Sequence, residues 1–250
     1  MEESFEALKS AYLSYVDGYR DGGGRLPDMM QLKLVHTMMV TDAARRIAAG
    51  EGFDRRTAFA CEAAALLHDT GRYEQLRVYD TFRDSDSVDH AVFSHDIVKE
   101  KGWLDGWRDA DAILFAVLVH NRRDIPADGR GALELAVAKT VRDADKLDIF
   151  RVLEDQVAKT DWRTDCKAFW NLPTTNPPNP KVVEAIRARR PVEYQNIASL
   201  ADFVLIQVGW MRNGLAFASS RRFAAARGHY AYRRKFLLDL VGYDIDELAR

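Results

Sequence analysis

The stretch Ala63-Ala64-Ala65-Leu66-Leu67-His68-Asp69-Thr70-Gly71-Arg72 decides how the fold is read. Its apolar first half, free of turn residues, predicts a core helix that delivers an imidazole and a carboxylate side by side at its end. Asp54 is placed to cap that helix, whose inward positions run through Ala60, Ala64 and Leu67 to His68, and Gly71 suits its C-terminal turn. Upstream, residues 30–49 carry Leu32, Val35, His36, Met39, Ala43 and Ile47 at three- and four-residue steps, which puts His36 on a buried stripe. Residues 3–19 read as an amphipathic helix ending at Asp21-Gly22-Gly23-Gly24. Residues 73–89 read as a polar loop with a few aromatics. Further helices are predicted from Asp89 to Gly102, from Asp111 to His120 and over 131–159, with Pro126 in a loop. Leu172 to Pro180 holds four prolines and must be irregular, and 181–250 reads as three or more helices. No strand pattern or internal repeat occurs, so the class is all-α.

At 250 residues the chain can bury one substantial core or two small ones. An apolar fraction of 47% with 30% charged residues describes a globular protein rather than a disordered one. A formal net charge of -2 gives no global pull toward nucleic acid or an anionic membrane. Cys61 and Cys166 lack metal-type spacing and read as free thiols of a reducing cytoplasm. The acidic start, Met1-Glu2-Glu3-Ser4-Phe5-Glu6, does not read as a signal peptide, and no apolar run reaches the roughly 18 residues of a membrane span. The expectation is a cytoplasmic protein. No P-loop and no Gly-x-Ser-x-Gly elbow occurs.

His36, His68, Asp69 and Asp145 are the strongest ligand candidates. An unpaired imidazole on an apolar stripe is costly. Asp145 follows Val141 and precedes Ile149 by four, so it faces the same way as core residues and needs a cation or several donors. The bland alternative is a set of buried polar residues that satisfy one another. Several desolvated acids and imidazoles in one place favour a divalent metal, which can make hydroxide from water near neutral pH. The chain therefore reads first as a metal-dependent hydrolase.

The order His36, His68-Asp69, Asp145 resembles the signature of the HD superfamily of metal-dependent phosphohydrolases, over about residues 30–155. That family is all-helical. Its last acid usually precedes a basic residue, so Asp145-Lys146 favours Asp145 over Asp143 as ligand. Asp143 and Asp148 are then outer groups that orient ligands, substrate-side groups, or surface charges. Some members carry two further histidines, and His90, with Ser94 four residues on, and His120 match them here. The resemblance implies a second ion bridged by Asp69. The alternative is two substrate-binding histidines around one metal. Two ions about 3.5–4 Å apart would clamp the oxygens of a phosphoryl transfer. His95 is a rival to His90, pointing about 140° away on a helix.

Cations should surround such a site. Arg72, placed at the mouth, is the first choice for phosphate because its planar fork matches the oxygens; a salt bridge with Glu74 is the alternative. Lys33, Arg122 and Arg123 are further cations, and Lys33 is assigned to substrate together with Asn121 and Arg122 beside His120. Asp69, Arg72 and Lys146 are assigned to catalysis, with Asp69 helping to deprotonate the metal-bound water, while Glu74 or Gln75 could orient water. Residues 219–235 hold Arg221, Arg222, Arg227, Arg233, Arg234 and Lys235 among aromatics. They read either as a phosphate-facing patch or as a solvated helix face balanced by the acidic tail, with His229 an ordinary surface histidine. Trp162, Trp170 and Trp210 are expected to dock the C-terminal helices on the core.

The expected organisation is an N-terminal helix and Gly-rich loop (1–29), an HD metal-binding core (30–160) and a C-terminal helical extension packed on it (161–250). The expected activity is a phosphomonoesterase or phosphodiesterase acting on a nucleotide or other small phosphate ester. The cofactor is one or two divalent ions of Mn, Mg, Co, Ni, Fe or Zn. No membrane or nucleic-acid partner is expected, and a homodimer stays open. The alternatives are a non-catalytic nucleotide- or nucleic-acid-binding regulator and a dinuclear iron oxygenase on an HD-like scaffold.

Overall fold

A computed structural model describes residues 4–164 and 167–249, the side chains at 247 and 249 excepted. Cys166 lies outside the described residues. The fold is all-α, with no strand among the described residues. The contacts divide the chain into two units, 1–148 and 149–250, and the division falls within a long helix rather than at 160/161. No described helix is long and apolar enough to cross a membrane.

The first unit holds α1 (Phe5–Asp17), α2 (Asp28–Gly50), α3 (Arg55–Leu67), α4 (Gly71–Tyr79), α5 (His90–Glu100), α6 (Ala110–Val119) and the first part of α7 (Ala132–Lys159). The helix α3 starts at Asp54, whose carboxylate accepts the backbone N–H of Thr57, and it packs against α1, α2 and α6. Such crowding on several sides explains its alanines. Ala60, Ala63, Ala64 and Ala65 are completely buried, and their small side chains let neighbouring helices approach closely. Cys61 lies in the same core as a free thiol, and burial pushes it up to about 11, so it is inert near neutral pH.

In α2 the inward row is His36, Thr37, Val40, Thr41, Ala44, Ile47 and Ala48. Val35 and Met39, grouped with His36 in the sequence reading, are instead 41% and 42% exposed. One residue turns a helix by about 100°, so the row one position before His36 and Val40 faces outward.

The polar loop expected over 73–89 is half helix. The true helix α4 spans Gly71–Tyr79 and ends at Asp80, which takes the left-handed φ of 51°. Its inward residues are Gly71, Arg72, Tyr73 and Gln75, so polar groups face the interior and no apolar stripe marks it. Gly71 does not end α3 but opens α4. A Cβ on it would meet the backbone nitrogen of Ser94 at 2.7 Å and the carbonyl oxygen of His90 at 3.1 Å, so only glycine lets α4 meet α5 this closely. From the other side, α1 buttresses the turn. Tyr12 and Tyr73 share a hydrogen bond between hydroxyls (2.9 Å), and Tyr15 donates to the carbonyl of Thr70 (3.4 Å).

The second unit holds the rest of α7, α8 (Pro180–Arg187), α9 (Leu200–Gly209), α10 (Ala218–Ala226) and α11 (His229–Val241). The proline-rich stretch stays irregular until Pro180 opens α8, with Asn179 as its cap. Trp162 is buried in this unit's own core with Phe169, Leu200 and Phe236, and Trp170 and Trp210 pack against it. The basic stretch is not a uniform solvated face. Arg233 is fully buried: it donates to Gln207 Oε1 (2.8 and 3.0 Å), Glu154 Oε1 (2.7 Å) and the carbonyl of Phe150 (2.8 Å). His229 is also buried, with Nδ1 2.6 Å from Glu154 Oε1, which corrects its reading as a surface histidine. Arg234 pairs with Asp244 and Asp246, and Arg221 donates to the carbonyl of Leu215.

Candidate metal centre

Helix α3 ends at Leu67, and the turn over His68–Thr70 carries the central pair. His68 is completely buried and Asp69 is 2% exposed. Asp69 presents its two oxygens to two different pairs of histidines. Oδ2 lies 3.6 Å from His36 Nε2 and 3.4 Å from His68 Nε2. Oδ1 lies 3.6 Å from both His90 Nε2 and His120 Nε2. Asp145, 19% exposed, adds a carboxylate oxygen 3.1 Å from His36 Nε2 and 3.9 Å from His68 Nε2. The structure thus brings together all six residues expected to ligate metal. His95 stays apart, paired with Asp96.

Every one of the four rings is held by Nδ1. His68 and His120 donate to carbonyls three residues earlier, those of Ala65 and Val117, at 2.7 Å each. A carbonyl only accepts, so Nδ1 carries the proton and Nε2 is left with a lone pair. His36 Nδ1 meets Asp148 Oδ2 (2.7 Å) and His90 Nδ1 meets Asp84 Oδ2 (2.5 Å). His36 Nε2, His68 Nε2 and Asp69 Oδ1 are buried without a hydrogen-bond partner among the described residues. Buried polar atoms normally find partners, and orphaned lone pairs converging from imidazoles and carboxylates are what a divalent cation requires. The groups His36/His68/Asp69 and Asp69/His90/His120 are each close enough to hold an ion.

The electrostatics agree. Burial alone would raise Asp69, but Lys33 and the neighbouring His68 and His120 hold it well below the usual carboxylate range. Burial opposes ionisation of Asp145 as well, and His36 and His68 nevertheless keep it low. Burial lowers His68, and burial with the nearby Arg72 takes His90 down to about 4, so both imidazoles are neutral near pH 7. For His36, burial and Lys33 act downward, but Asp145 and Asp148 outweigh them and leave it raised.

The cations separate into two sets. Lys33 Nζ lies 2.6 Å from Asp69 Oδ2 and Arg72 Nε 3.5 Å from Oδ1, and both cations stand over the Phe82 ring, at 5.4 and 5.6 Å. Arg72 is not at an open mouth but buried, with Nη1 donating to Asp84 Oδ1 (3.0 Å), Gln75 Oε1 (2.7 Å) and the carbonyl of Phe82 (2.6 Å). Gln75 is spent in the same network, through Ser87 Oγ and the carbonyl of Val88. Glu74 points elsewhere, to Arg77 and Tyr19. Arg122 pairs with Asp89 and Arg123 with Asp124, both arginines largely exposed. Asn121 donates to Asp89 Oδ1 (2.8 Å), and its own Oδ1 is buried without a partner among the described residues. Lys146 is half-buried and pushed down to about 8, chiefly by burial. Asp143 is buried.

Asp84 is the residue that sequence reasoning missed. Asp84, Asp89 and His90 also come together. Asp89 is already occupied, however: Oδ1 caps α5 at the N–H groups of Ala91 and Val92, and Oδ2 meets Arg122.

Residues 34–149 match the family model of the HD domain. No curated protein and no solved structure matched the chain.

Proposed function

With an HD domain over residues 34–149, we propose that the protein is a phosphohydrolase that uses two divalent ions to cleave a nucleotide or another small phosphate ester. The observation that carries this reading is the splitting of Asp69 between two histidine pairs, one at each carboxylate oxygen. His36, His68, Asp69 and Asp145 would hold one ion, and Asp69, His90 and His120 the other. Divalent ions held there would supply Lewis acidity, lowering the pKa of water toward neutrality and stabilising anionic oxygens.

The chain's own groups supply the rest. Four imidazoles with their Nδ1 atoms engaged cannot turn away, so the centre is organised before substrate arrives. The ionised Asp69 carboxylate orients the attacking water, whose proton leaves to solvent. Lys33 and Arg72 flank Asp69 and neutralise the non-bridging oxygens of the phosphoryl group. Arg72 Nε is buried without a hydrogen-bond partner among the described residues, which leaves it a donor for substrate. Lys146, titrating near 8, can give a proton to the leaving oxygen. Asn121 Oδ1 offers an acceptor for a substrate N–H or O–H.

The test is phosphate or nucleoside release from nucleoside monophosphates, deoxynucleoside triphosphates, cyclic dinucleotides and a generic phosphodiester. Metal-stripped protein would be reloaded with manganese, cobalt, nickel, iron, zinc or magnesium. Metal-dependent release that Asp145→Ala eliminates supports the reading. Dioxygen uptake by the iron form with no phosphate release would favour an oxygenase, and nucleotide binding without turnover a regulator.

A further inference from the structure

We propose that Asp84 is a positioning residue that fixes His90 and Arg72 on the Oδ1 side of Asp69, as Asp148 fixes His36 on the Oδ2 side. The inference rests on the two-ion reading above and deepens it.

The four imidazoles fall into two kinds by what holds Nδ1. For His68 and His120 the holder is the backbone carbonyl three residues earlier, which any side chain at 65 or 117 would leave in place. For His36 and His90 it is a specific carboxylate, Asp148 or Asp84. Each oxygen of Asp69 therefore faces one ring anchored by the backbone and one anchored by an acid. A carboxylate behind an imidazole fixes its tautomer and raises its basicity as a ligand.

Asp84 holds more than the His90 ring. It sits in the 3-10 turn Asp84–Asp86, between α4 and α5. Oδ2 holds His90 Nδ1 and lies 3.4 Å from Asn121 Nδ2. Oδ1 accepts from Arg72 Nη1 (3.0 Å) and Gln75 Nε2 (3.1 Å). One carboxylate thus sets a ligand ring and the guanidinium beside it, and ties the segment after α4 to the metal centre. Because the two acids serve different rings on different oxygens of Asp69, their loss should be felt at different ions.

Manganese titration of metal-stripped protein, with metal content after dialysis, tests this on wild type, Asp84→Ala, Asp84→Asn, Asp148→Ala and His90→Ala. Wild type is expected to take up two ions. In Asp84→Ala one of the two should weaken by about 10–100-fold while the other is unchanged. His90→Ala should lose the same ion, and adding Asp84→Ala to it should cost that ion nothing further. Asp148→Ala should weaken the other ion. Asp84→Asn keeps an acceptor for Nδ1–H without the charge, so its loss should be intermediate; it carries the test if Asp84→Ala does not fold. Two ions bound by both Asp84 variants with wild-type affinity, or both ions weakened alike, would overturn the role of Asp84 while leaving the two-ion reading intact. A wild type that takes up fewer than two ions would overturn the two-ion reading itself, and this inference with it.

Discussion

His68 Nε2 and Asp69 Oδ2 lie 3.4 Å apart although the residues are neighbours in the chain. Adjacent residues on a continuing helix would diverge by about 100°. Here α3 stops at Leu67, His68 keeps helical dihedrals in the turn that follows, and the two side chains still reach one place. The same turn leaves Asp69 shared by four histidines.

Asp69→Asn should therefore abolish metal uptake and turnover together. The side chain keeps its size, and the helices packed around α3 keep theirs, so the far-ultraviolet circular dichroism should be that of wild type. A variant that retains both ions would contradict the sharing of this carboxylate.

Acid should destabilise the metal-free protein partly through His90. Its folded-state pKa is depressed from the ordinary 6.5 to about 4, mainly by burial. Between those values the unfolded chain binds a proton that the folded protein refuses, so stability falls as pH drops through that window. His36 is raised, so its contribution has the opposite sign and is lost as pH rises through the folded pKa. In urea denaturation with chelator, His90→Gln should flatten the decline between pH 6.5 and 4.5, whereas His36→Gln should alter the slope only above pH 6.5 and leave that acid-side decline unchanged. Identical slopes for the two variants would reject the assignment.

Gly71→Ala places a methyl against backbone, 2.7 Å from the nitrogen of Ser94 and 3.0 Å from the carbonyl carbon of Phe93. No side chain can swing aside, so α5 must move, and α5 begins with His90. A loss of about 1–3 kcal/mol in stability is expected, with weaker manganese binding. A wild-type melting temperature would refute the close approach.

In the second unit Arg233→Met should cost about 2–4 kcal/mol, since it leaves Gln207 without its buried partner and Glu154 with His229 alone. Adding Glu154→Leu should recover part of the loss. Urea midpoints of the single and double variants measure both effects.

The metal centre was readable where its residues stand on helices with ordinary signals. Asp54 and Asp89 cap α3 and α5, and His68 and His120 end apolar runs. The helix α4 was hidden because it turns Arg72 and Gln75 inward, so hydropathy shows no stripe. Asp84 was hidden for a related reason. In Asp84-Ser85-Asp86-Ser87-Val88-Asp89 every acid looks solvated, and this one gains its role only when Arg72, Gln75 and His90 close on it. Arg233 and His229 looked exposed because a buried charge has no hydropathic signature until its partners, distant in sequence, are in place.

The most direct test of the central claim is phosphate release from a responsive ester in oxygen-18 water, with metal-loaded wild type and Asp69→Asn side by side. The account predicts that wild type releases phosphate carrying the heavy oxygen, that the alcohol carries none, and that Asp69→Asn releases nothing. Release at equal rates from both proteins, or label in the alcohol instead of the phosphate, would contradict it.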